Sequence, residues 1–289
     1  MRRVLVVAAI ATALALGAVV AFVGVAGISA SLPDVAVLER RTPAQTSLMR
    51  RRVAEAQSHG RALRIDQRWI PYERISPVLR RAVLIAEDDA FFSHGGLDWD
   101  EMRASMRRNL EAGRIVRGGS TITQQLARNV YLGNERTVTR KLREIMLARR
   151  IEGALSKRRI FELYLNLIEW GDGIFGIEAA AQRHFGVSAS ALDARQAALL
   201  AAVIINPRRF DPAQPNRRIE RRARMILGRM WRRGFIGEPE YLVATGRTPP
   251  PTAPLDSAGT APADTAAVSP ESVPAAVDTL PAAPDSLPE

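Results

Sequence analysis

The chain has 289 residues, no cysteine and a formal net charge of +11 at pH 7. The lack of cysteine excludes disulfides, thiolate metal sites and a cysteine nucleophile, and three histidines leave little room for a histidine-based metal cluster. Residues 1–247 hold all 41 bases but only 24 of the 30 acids, a net charge of +17. So basic a body is expected to bind something anionic: phosphate, nucleic acid or an anionic membrane.

The first 30 residues, 1–30, are predicted to form a transmembrane anchor. Val4–Ile28 runs for 25 residues without a charge, and a helix of that length, about 37 Å, exceeds a hydrocarbon core of about 30 Å. A cleaved signal peptide is the alternative, with small residues near Ala30 as its cleavage site. Arg2 and Arg3 precede the apolar run and favour a cytoplasmic N-terminus, which places the rest of the chain outside the cytoplasm.

The rest of the chain divides into three parts by composition. Residues 31–67 are expected to form a juxtamembrane segment, and Leu32–Ile75 is expected to be less regular than the rest. Residues 68–247 are expected to form a single, mostly α domain, because helix caps and apolar stripes recur there with almost no strand alternation. Residues 248–289 contain 10 of the 18 prolines and no aromatic side chain. They lack the apolar area that offsets ordering entropy, so they are predicted to be a disordered acidic tail.

Caps and apolar periodicity bound several helices in the middle of the chain. Ser76 followed by Pro77 indicates a helix start. The most C-terminal of these helices has an arginine-rich face, which either is solvated or rests on anionic lipid. The predicted spans are Thr121–Val130 after a Ser120 cap, Val138–Ala154 after Thr137, Lys157–Ile168 after Ser156, Asp193–Ile205 and Arg217–Arg233.

Two stretches in this region carry groups suited to chemistry. Glu87 follows an apolar run and opens the sequence E-D-D, and burial at such a place raises a carboxyl pKa and suits it to proton transfer. A solvated acidic cluster at a helix end is the alternative. Gly118 and Gly119 lead into a helix whose free amides, with the hydroxyls of Ser120 and Thr121, could bind phosphate. An ordinary turn is the alternative there.

A third stretch places Arg140 and Glu144 on one helix face, with Lys141 beside them. A surface ion pair is the alternative. Only two of the 41 bases are lysines, and the compact ammonium charge of a lysine at this place would suit a phosphate oxygen. A fourth stretch, Ile160–Asn166, fits core packing and is expected to be mostly structural.

Taken in order, these stretches resemble the motifs of glycosyltransferase family 51, the peptidoglycan glycosyltransferases. The motif E-D-x-x-F-x-x-H-x-G-x-D matches Glu87–Asp98, and G-G-S-T-I-T-Q-Q is present in full at Gly118–Gln125. R-K-x-x-E falls on Arg140–Glu144, I-x-E-x-Y-L-N on Ile160–Asn166, and a fifth motif on Gln196–Ala202. The sequence contains no S-x-x-K or K-T-G of a penicillin-binding transpeptidase, so it resembles the monofunctional biosynthetic transglycosylases of this family.

The resemblance implies a lysozyme-like helical fold and the polymerisation of lipid II, a disaccharide-pentapeptide on undecaprenyl diphosphate, with inversion at the anomeric carbon. Glu87 would be the general base. Glu144, the second catalytic carboxylate, would position cations or a divalent metal such as Mg²⁺ or Mn²⁺, and no other cofactor is required. Arg128 stands where the family usually has lysine, which keeps the charge but presents a planar fork. The implied substrate-binding residues are Asp88, Phe91, His94, Ser120, Thr121, Gln125, Arg128, Asn129, Arg140 and Lys141.

The resemblance also implies partners and a location. The partners would be the growing lipid-linked glycan, the membrane, penicillin-binding transpeptidases and proteins of division or elongation, without nucleic acid. The location would be the inner membrane, with the catalytic domain on the periplasmic side. One alternative is a lysozyme-like or lytic enzyme that cleaves glycan, which the cations beside Glu144 disfavour because a glycan leaving group is uncharged. The other is a membrane-anchored binder of anionic ligands, which rests on charge alone.

Overall fold

The computed structural model describes residues 2–114, 118–133, 135 and 137–246, so the predicted acidic tail at 248–289 lies outside the described residues. Helices dominate these residues, and the predicted mostly α fold is confirmed. Two short 3-10 turns, Tyr72–Arg74 and Phe91–Ser93, flank the fourth helix. The helices are α1 (Arg2–Ala30), α2 (Val37–Arg40), α3 (Ser47–Ser58), α4 (Pro77–Glu87), α5 (Trp99–Glu111), α6 (Ile122–Tyr131), α7 (Val138–Ala154), α8 (Lys157–Leu167), α9 (Ile177–Phe185), α10 (Ala194–Val203), α11 (Arg217–Arg232) and α12 (Glu238–Thr245).

Helix α1 is long, apolar and exposed. Its segment Ala11–Ala30 has a mean hydropathy of 2.3 and contains no buried residue, and large side chains such as Phe22 are exposed. These properties fit single-pass membrane anchoring. At the end of α1, Arg150 Nη2 donates to the carbonyl oxygen of Ser29 at 2.8 Å and to its hydroxyl at 2.9 Å. The apolar helix therefore ends in direct contact with α7.

Helix α10 lies in the centre of the core and is buried along nearly all of its length. Asp193 caps it by accepting a 2.8 Å hydrogen bond from the Gln196 amide, and the helix ends at Val203, before the predicted Ile205. Its many alanines leave room for α4 and α11 to pack closely on it. This packing brings α4 and α11 side by side, which matters for the site described below.

Two predicted helix caps are confirmed. The hydroxyl of Thr137 accepts a 3.1 Å hydrogen bond from the Arg140 amide, and α7 spans the predicted residues. The hydroxyl of Ser156 accepts a 3.2 Å hydrogen bond from the Arg159 amide at the start of α8. Both caps satisfy amides that the first helical turn leaves without a partner.

One other predicted cap was wrong. Thr121, not Ser120, caps α6: its hydroxyl accepts from the Gln124 amide, while the Gln124 side chain accepts from the Thr121 amide at 3.0 Å. This reciprocal capping box selects the threonine because the glutamine lies three residues after it. The helix start predicted at Ser76 is confirmed, since Ser76 is the N-cap residue of α4 and Pro77 is its first helical residue. The Ser76 hydroxyl does not cap the helix, because it donates to the Leu192 carbonyl at 3.1 Å.

The segment expected to be irregular contains a well-formed helix, α3, so that expectation was wrong there. The hydroxyl of Thr46 accepts from the Met49 amide at 3.2 Å and caps the helix, and Met49 is buried against Phe175. Arg52 donates to both carboxylate oxygens of Glu169, with its shortest bond at 2.6 Å. These contacts hold α3 against the domain.

A small sheet lies beside the helices, formed by β1 (Asp66–Gln67), β2 (Glu169–Gly171) and β3 (Ile174–Phe175). The central strand, β3, pairs parallel with β1 and antiparallel with β2. After β3, Gly176 has φ +80°, and a Cβ there would lie 2.7 Å from the carbonyl oxygen of Asn166. Only glycine fits this position without strain.

Asn166 ties α8 to the segment that follows β1. Its Oδ1 accepts from the Ile70 amide at 2.9 Å, and its Nδ2 donates to the Ile70 carbonyl at 2.9 Å. The side chain is fully buried. The structural role predicted for the fourth motif is confirmed at this residue.

Candidate active site

Glu87 is the last residue of α4 and lies at the edge of the core. Its side chain is 12% exposed, and each carboxylate oxygen has one donor. Gln125 Nε2 donates to Oε2 at 3.0 Å, and Arg222 Nη2 donates to Oε1 at 3.0 Å. Burial raises the pKa of Glu87 above its ordinary value, while the bonds from Gln125 and Arg222 oppose that rise. Such a carboxylate is held in place and suited to accept a proton.

A second layer of hydrogen bonding fixes Gln125 itself. The hydroxyl of Tyr164, on α8, donates to Gln125 Oε1 at 3.1 Å. Burial raises the pKa of Tyr164 well above its ordinary value, so the hydroxyl keeps its proton and acts as the donor. Because Oε1 accepts this bond, the amide nitrogen of Gln125 faces Glu87. Four helices, α4, α6, α8 and α11, therefore contribute to the position of one carboxylate.

Asp88 and His94 join the first two motifs to each other. His94 Nδ1 accepts from the Gly96 amide at 3.2 Å, so Nε2 carries the hydrogen and donates to Asp88 at 2.9 Å. The other Asp88 oxygen accepts from the Ile122 amide at 2.9 Å, at the N-terminus of α6, where a negative charge is favourable. Phe91 is fully buried. These three predicted substrate-binding side chains face protein partners and position the motifs.

Asp88, His94 and Asp98 form a cluster whose ligand atoms all lie within 4.8 Å of one another, a spacing that a cation could bridge. Each of them already has a protein partner, since Asp98 caps α5 by accepting from the Glu101 amide at 2.8 Å. The hydrogen bonds of these three side chains hold the first two motifs together, which accounts for the cluster.

Glu144 is buried, with its side chain 1% exposed, and lies between two cations. Arg140 Nη1 donates to Oε2 at 2.5 Å, and Lys141 Nζ donates to Oε1. Lys141 also donates to the hydroxyl of Ser120 at 3.4 Å, which links α7 to the glycine-rich second motif. A buried carboxylate is stable only with such partners. One negative charge beside two positive charges leaves a net positive group.

A divalent metal, the alternative to cations at Glu144, does not fit the residues around this carboxylate. A metal ion needs several oxygen ligands, whereas both oxygens of this carboxylate face positively charged side chains. Glu144 is suited instead to orient Arg140 and Lys141.

A cleft of about 340 Å³ opens between α3, α6 and α7. Gln125 lines this cleft and also bonds Glu87, so one side chain links the cleft to the carboxylate. Four arginines and two glutamates line the cleft, so its charge favours the binding of an anion. The polar and charged lining residues are Arg51, Arg52, Gln125, Arg128, Asn129, Glu135, Arg140 and Glu169.

A second, more open groove is lined in part by Lys141. Its volume is about 520 Å³, and Ser120, Lys141 and the apolar side chains of α5, such as Met106, line it. Thr121 lies apart from both openings, because it is buried and its hydroxyl donates to the Gly96 carbonyl at 2.7 Å. Of the predicted substrate-binding residues, Ser120, Gln125, Arg128, Asn129, Arg140 and Lys141 line an opening.

Sequence reasoning missed Arg222, Arg51 and Arg52. The arginine-rich face of α11 was assigned to solvent or lipid, but Arg222 donates to Glu87 and, at 3.1 Å, to the Ala86 carbonyl. No local pattern distinguishes it from its neighbouring arginines. The triple arginine run in α3 was visible in the sequence, but nothing in it indicated that the run faces the cleft.

The sequence model of the family described as Transglycosylase matches residues 55–231. Several similar proteins bear the name biosynthetic peptidoglycan transglycosylase, and three of them follow. The relative from Nitrosospira multiformis is 44% identical over 188 residues, which cover 65% of this chain and 82% of the relative. The relative from Methylobacillus flagellatus is 46% identical over the same shares. The relative from Aromatoleum aromaticum is 47% identical, over 65% of this chain and 81% of its own length.

A solved structure, penicillin-binding protein 1A from Haemophilus influenzae, is 34% identical over the aligned part, with a TM-score of 0.29. The alignment covers 32% of this chain and 14% of that one.

Proposed function

This chain belongs to the transglycosylase family and is a peptidoglycan glycosyltransferase, and we propose that it polymerises lipid II with Glu87 as the general base. The donor is the growing glycan, still attached to its undecaprenyl diphosphate. The acceptor is lipid II. Each cycle lengthens the strand by one disaccharide, inverts the anomeric carbon and releases undecaprenyl diphosphate.

Glu87 takes the proton from the acceptor's 4-hydroxyl as that oxygen attacks the donor's anomeric carbon. The new carbon–oxygen bond forms as the bond between the anomeric carbon and the diphosphate breaks. The electron pair of the broken bond leaves with the diphosphate. The observation that carries this role is that Gln125 and Arg222 each hold one oxygen of a carboxylate whose pKa burial raises. A fixed base with a raised pKa is suited to proton transfer near neutral pH.

The cations of α7 stabilise the leaving diphosphate. Arg140 and Lys141 carry the charge, and Glu144 orients both. Ser120, Arg128 and Asn129 also line the openings on either side of this pair. An anionic leaving group needs charge neutralisation more than it needs a proton, so no acid partner for Glu87 is required. No step of this proposal passes through a metal ion.

A polymerisation assay tests the proposal directly. Detergent-purified full chain is incubated with labelled lipid II beside Glu87→Gln, and products are resolved by size. A ladder of long glycan that lysozyme digests, absent in the variant, is the expected result. Folded wild type that makes no polymer, or a variant that makes it at the normal rate, would overturn the proposal. A parallel incubation with preformed glycan separates synthesis from cleavage, because a lytic enzyme would shorten those chains.

We also propose that the enzyme is held in the inner membrane by α1, with its catalytic domain on the periplasmic side. The apolar length of α1 and the two arginines at its start support this orientation. Its partners are the membrane itself, penicillin-binding transpeptidases that cross-link the new strand, and the proteins of division or elongation. Reporter fusions after residue 246 test the orientation, since a periplasm-dependent reporter should be active and a cytoplasm-dependent one silent.

A further inference from the structure

Arg51, on helix α3, lines the cleft although it belongs to none of the five motifs. The helix is fixed on both sides of Arg51. On the N-terminal side of Arg51, Thr46 caps the helix and Met49 is buried. On its C-terminal side, Arg52 bonds both oxygens of Glu169. A group held on so constrained a helix is placed as firmly as the residues of the motifs.

Further along α3, Glu55 extends this attachment across the domain. Arg208 Nη1 donates to both oxygens of Glu55 at 3.0 and 3.2 Å, and Arg208 Nε donates to Asp172 at 3.1 Å. The helix is therefore bonded at its start, at its centre and near its end.

The charges in the cleft are unevenly neutralised. Arg52 is paired with Glu169, and Arg140 is paired with Glu144. Within the part of the chain that the structure describes, neither Arg51 nor Arg128 has a carboxylate within salt-bridge distance.

Arg51 uses one of its donors on a neutral group, the Leu132 carbonyl at the end of α6. Burial and the positive charges of Arg52 and Arg128 lower the pKa of Arg51, while Glu135 and Glu169 act in the opposite direction. Two half-buried cations near each other are unfavourable in isolation and favourable once an anion lies between them.

We propose that Arg51 is a substrate-binding residue that holds the diphosphate of the donor, together with Arg128 and Arg140. This inference rests on the proposed function. The donor's diphosphate is attached directly to the reacting carbon, whereas the acceptor's diphosphate is separated from its reacting hydroxyl by two sugar rings. Gln125 lines the cleft and bonds Glu87, so the cleft is close enough to the base to hold the donor's diphosphate. The paired donors of a guanidinium group match phosphate oxygens.

The test uses the full chain in detergent and a labelled lipid-linked glycan whose terminal 4-hydroxyl is blocked, so that it can act only as donor. Arg51→Gln removes the charge but keeps a donor for the Leu132 carbonyl. We expect KM for the blocked donor to rise about tenfold, the effect of one charge-assisted hydrogen bond. KM for lipid II as acceptor should change by less than about twofold, and Arg51→Lys should recover part of the loss.

The matched control is Arg50→Gln on the same helix. Arg50 is exposed, and among the described residues its side chain bonds only the Gln45 carbonyl and the Ser47 hydroxyl, so both KM values should stay at wild-type levels. Circular dichroism and melting curves confirm that the variants fold. A rise in the acceptor's KM alone, or equal effects of Arg50→Gln and Arg51→Gln, would overturn the inference while the proposed function stands. Wild type that makes no polymer would instead overturn the proposed function.

Discussion

Arg222 Nη2 lies 3.0 Å from Oε1 of Glu87 and joins a helix near the end of the described chain to the proposed base. The same nitrogen bonds the Ala86 carbonyl, so its direction is fixed by two acceptors. Arg222 is therefore a positioning residue that also favours the ionised form of Glu87, because it opposes the rise in pKa that burial causes. Its effect should be separable from that of the base itself.

Arg222→Ala should lower kcat/KM by about tenfold to hundredfold, the cost of one hydrogen bond to a charged group. Because Arg222 lowers the pKa of Glu87, its removal should raise that pKa and move the acidic limb of the kcat/KM–pH profile to higher pH. Arg222→Lys should move the limb part of the way back. Arg221→Ala is the control, because Arg221 is exposed on the same helix. An unchanged pH profile in Arg222→Ala would contradict the positioning role.

Glu87→Gln should abolish polymerisation, with a loss of about a thousandfold or more, and should raise stability at neutral pH. Burial raises the folded-state pKa of Glu87 above its ordinary value of 4.5, so the folded protein binds this proton more tightly than the unfolded chain does. Stability from this group is thus present at low pH and is lost as pH rises through the folded pKa. The melting temperature of the variant minus that of wild type should increase from about pH 4 to about pH 8. A constant difference would contradict the raised pKa.

Lys141→Ala should reduce polymerisation about a hundredfold, because it removes a cation from the leaving-group site. Lys141→Arg should recover little, since a planar fork cannot replace the ammonium group between Glu144 and Ser120. Arg143→Ala, exposed on the same helix, should have normal activity. Initial rates with labelled lipid II measure all three, and full activity of Lys141→Arg would show that only net charge matters at this position.

Gly176→Ala should destabilise the domain by at least about 3 kcal/mol, since it combines positive φ with a clash against a carbonyl. The Asn166 oxygen would lie 2.7 Å from the new methyl group. Gly186→Ala is the matched control, with φ +69° and open space around the position, and it should cost only about 1 kcal/mol. Urea unfolding followed by circular dichroism compares the two, and equal losses would show that backbone strain alone decides the cost.

Local signals predicted the helices well where one residue type determines an end. The Thr137 and Ser156 caps are examples, because a hydroxyl and the amide three residues later are enough to start a helix. The error at Ser120 was local too. Reading Gln124 as the partner in a capping box would have selected Thr121.

The parts that could not be predicted depend on contacts between distant residues. Arg222 and Glu87 are 135 positions apart in the sequence, and only the packing of α4 and α11 on α10 brings them together. Helix α3 was missed because most of its residues are polar and only a few, such as Met49, are buried. The buried partners of Asp88 and His94 were likewise invisible, so residues that support the site resembled residues that bind substrate.

The contact between Arg150 and Ser29 fixes the distance between the cations of α7 and the end of α1. The stretch of α7 from Lys141 to Arg150 rises about 14 Å at 1.5 Å per residue. One end of this rod holds the cations for the diphosphate, and the other end is bonded to the last turns of α1. If α1 crosses the bilayer, this length of α7 sets the distance between the lipid surface and the bound diphosphate. The membrane helix would then be a structural part of the catalytic scaffold as well as its tether.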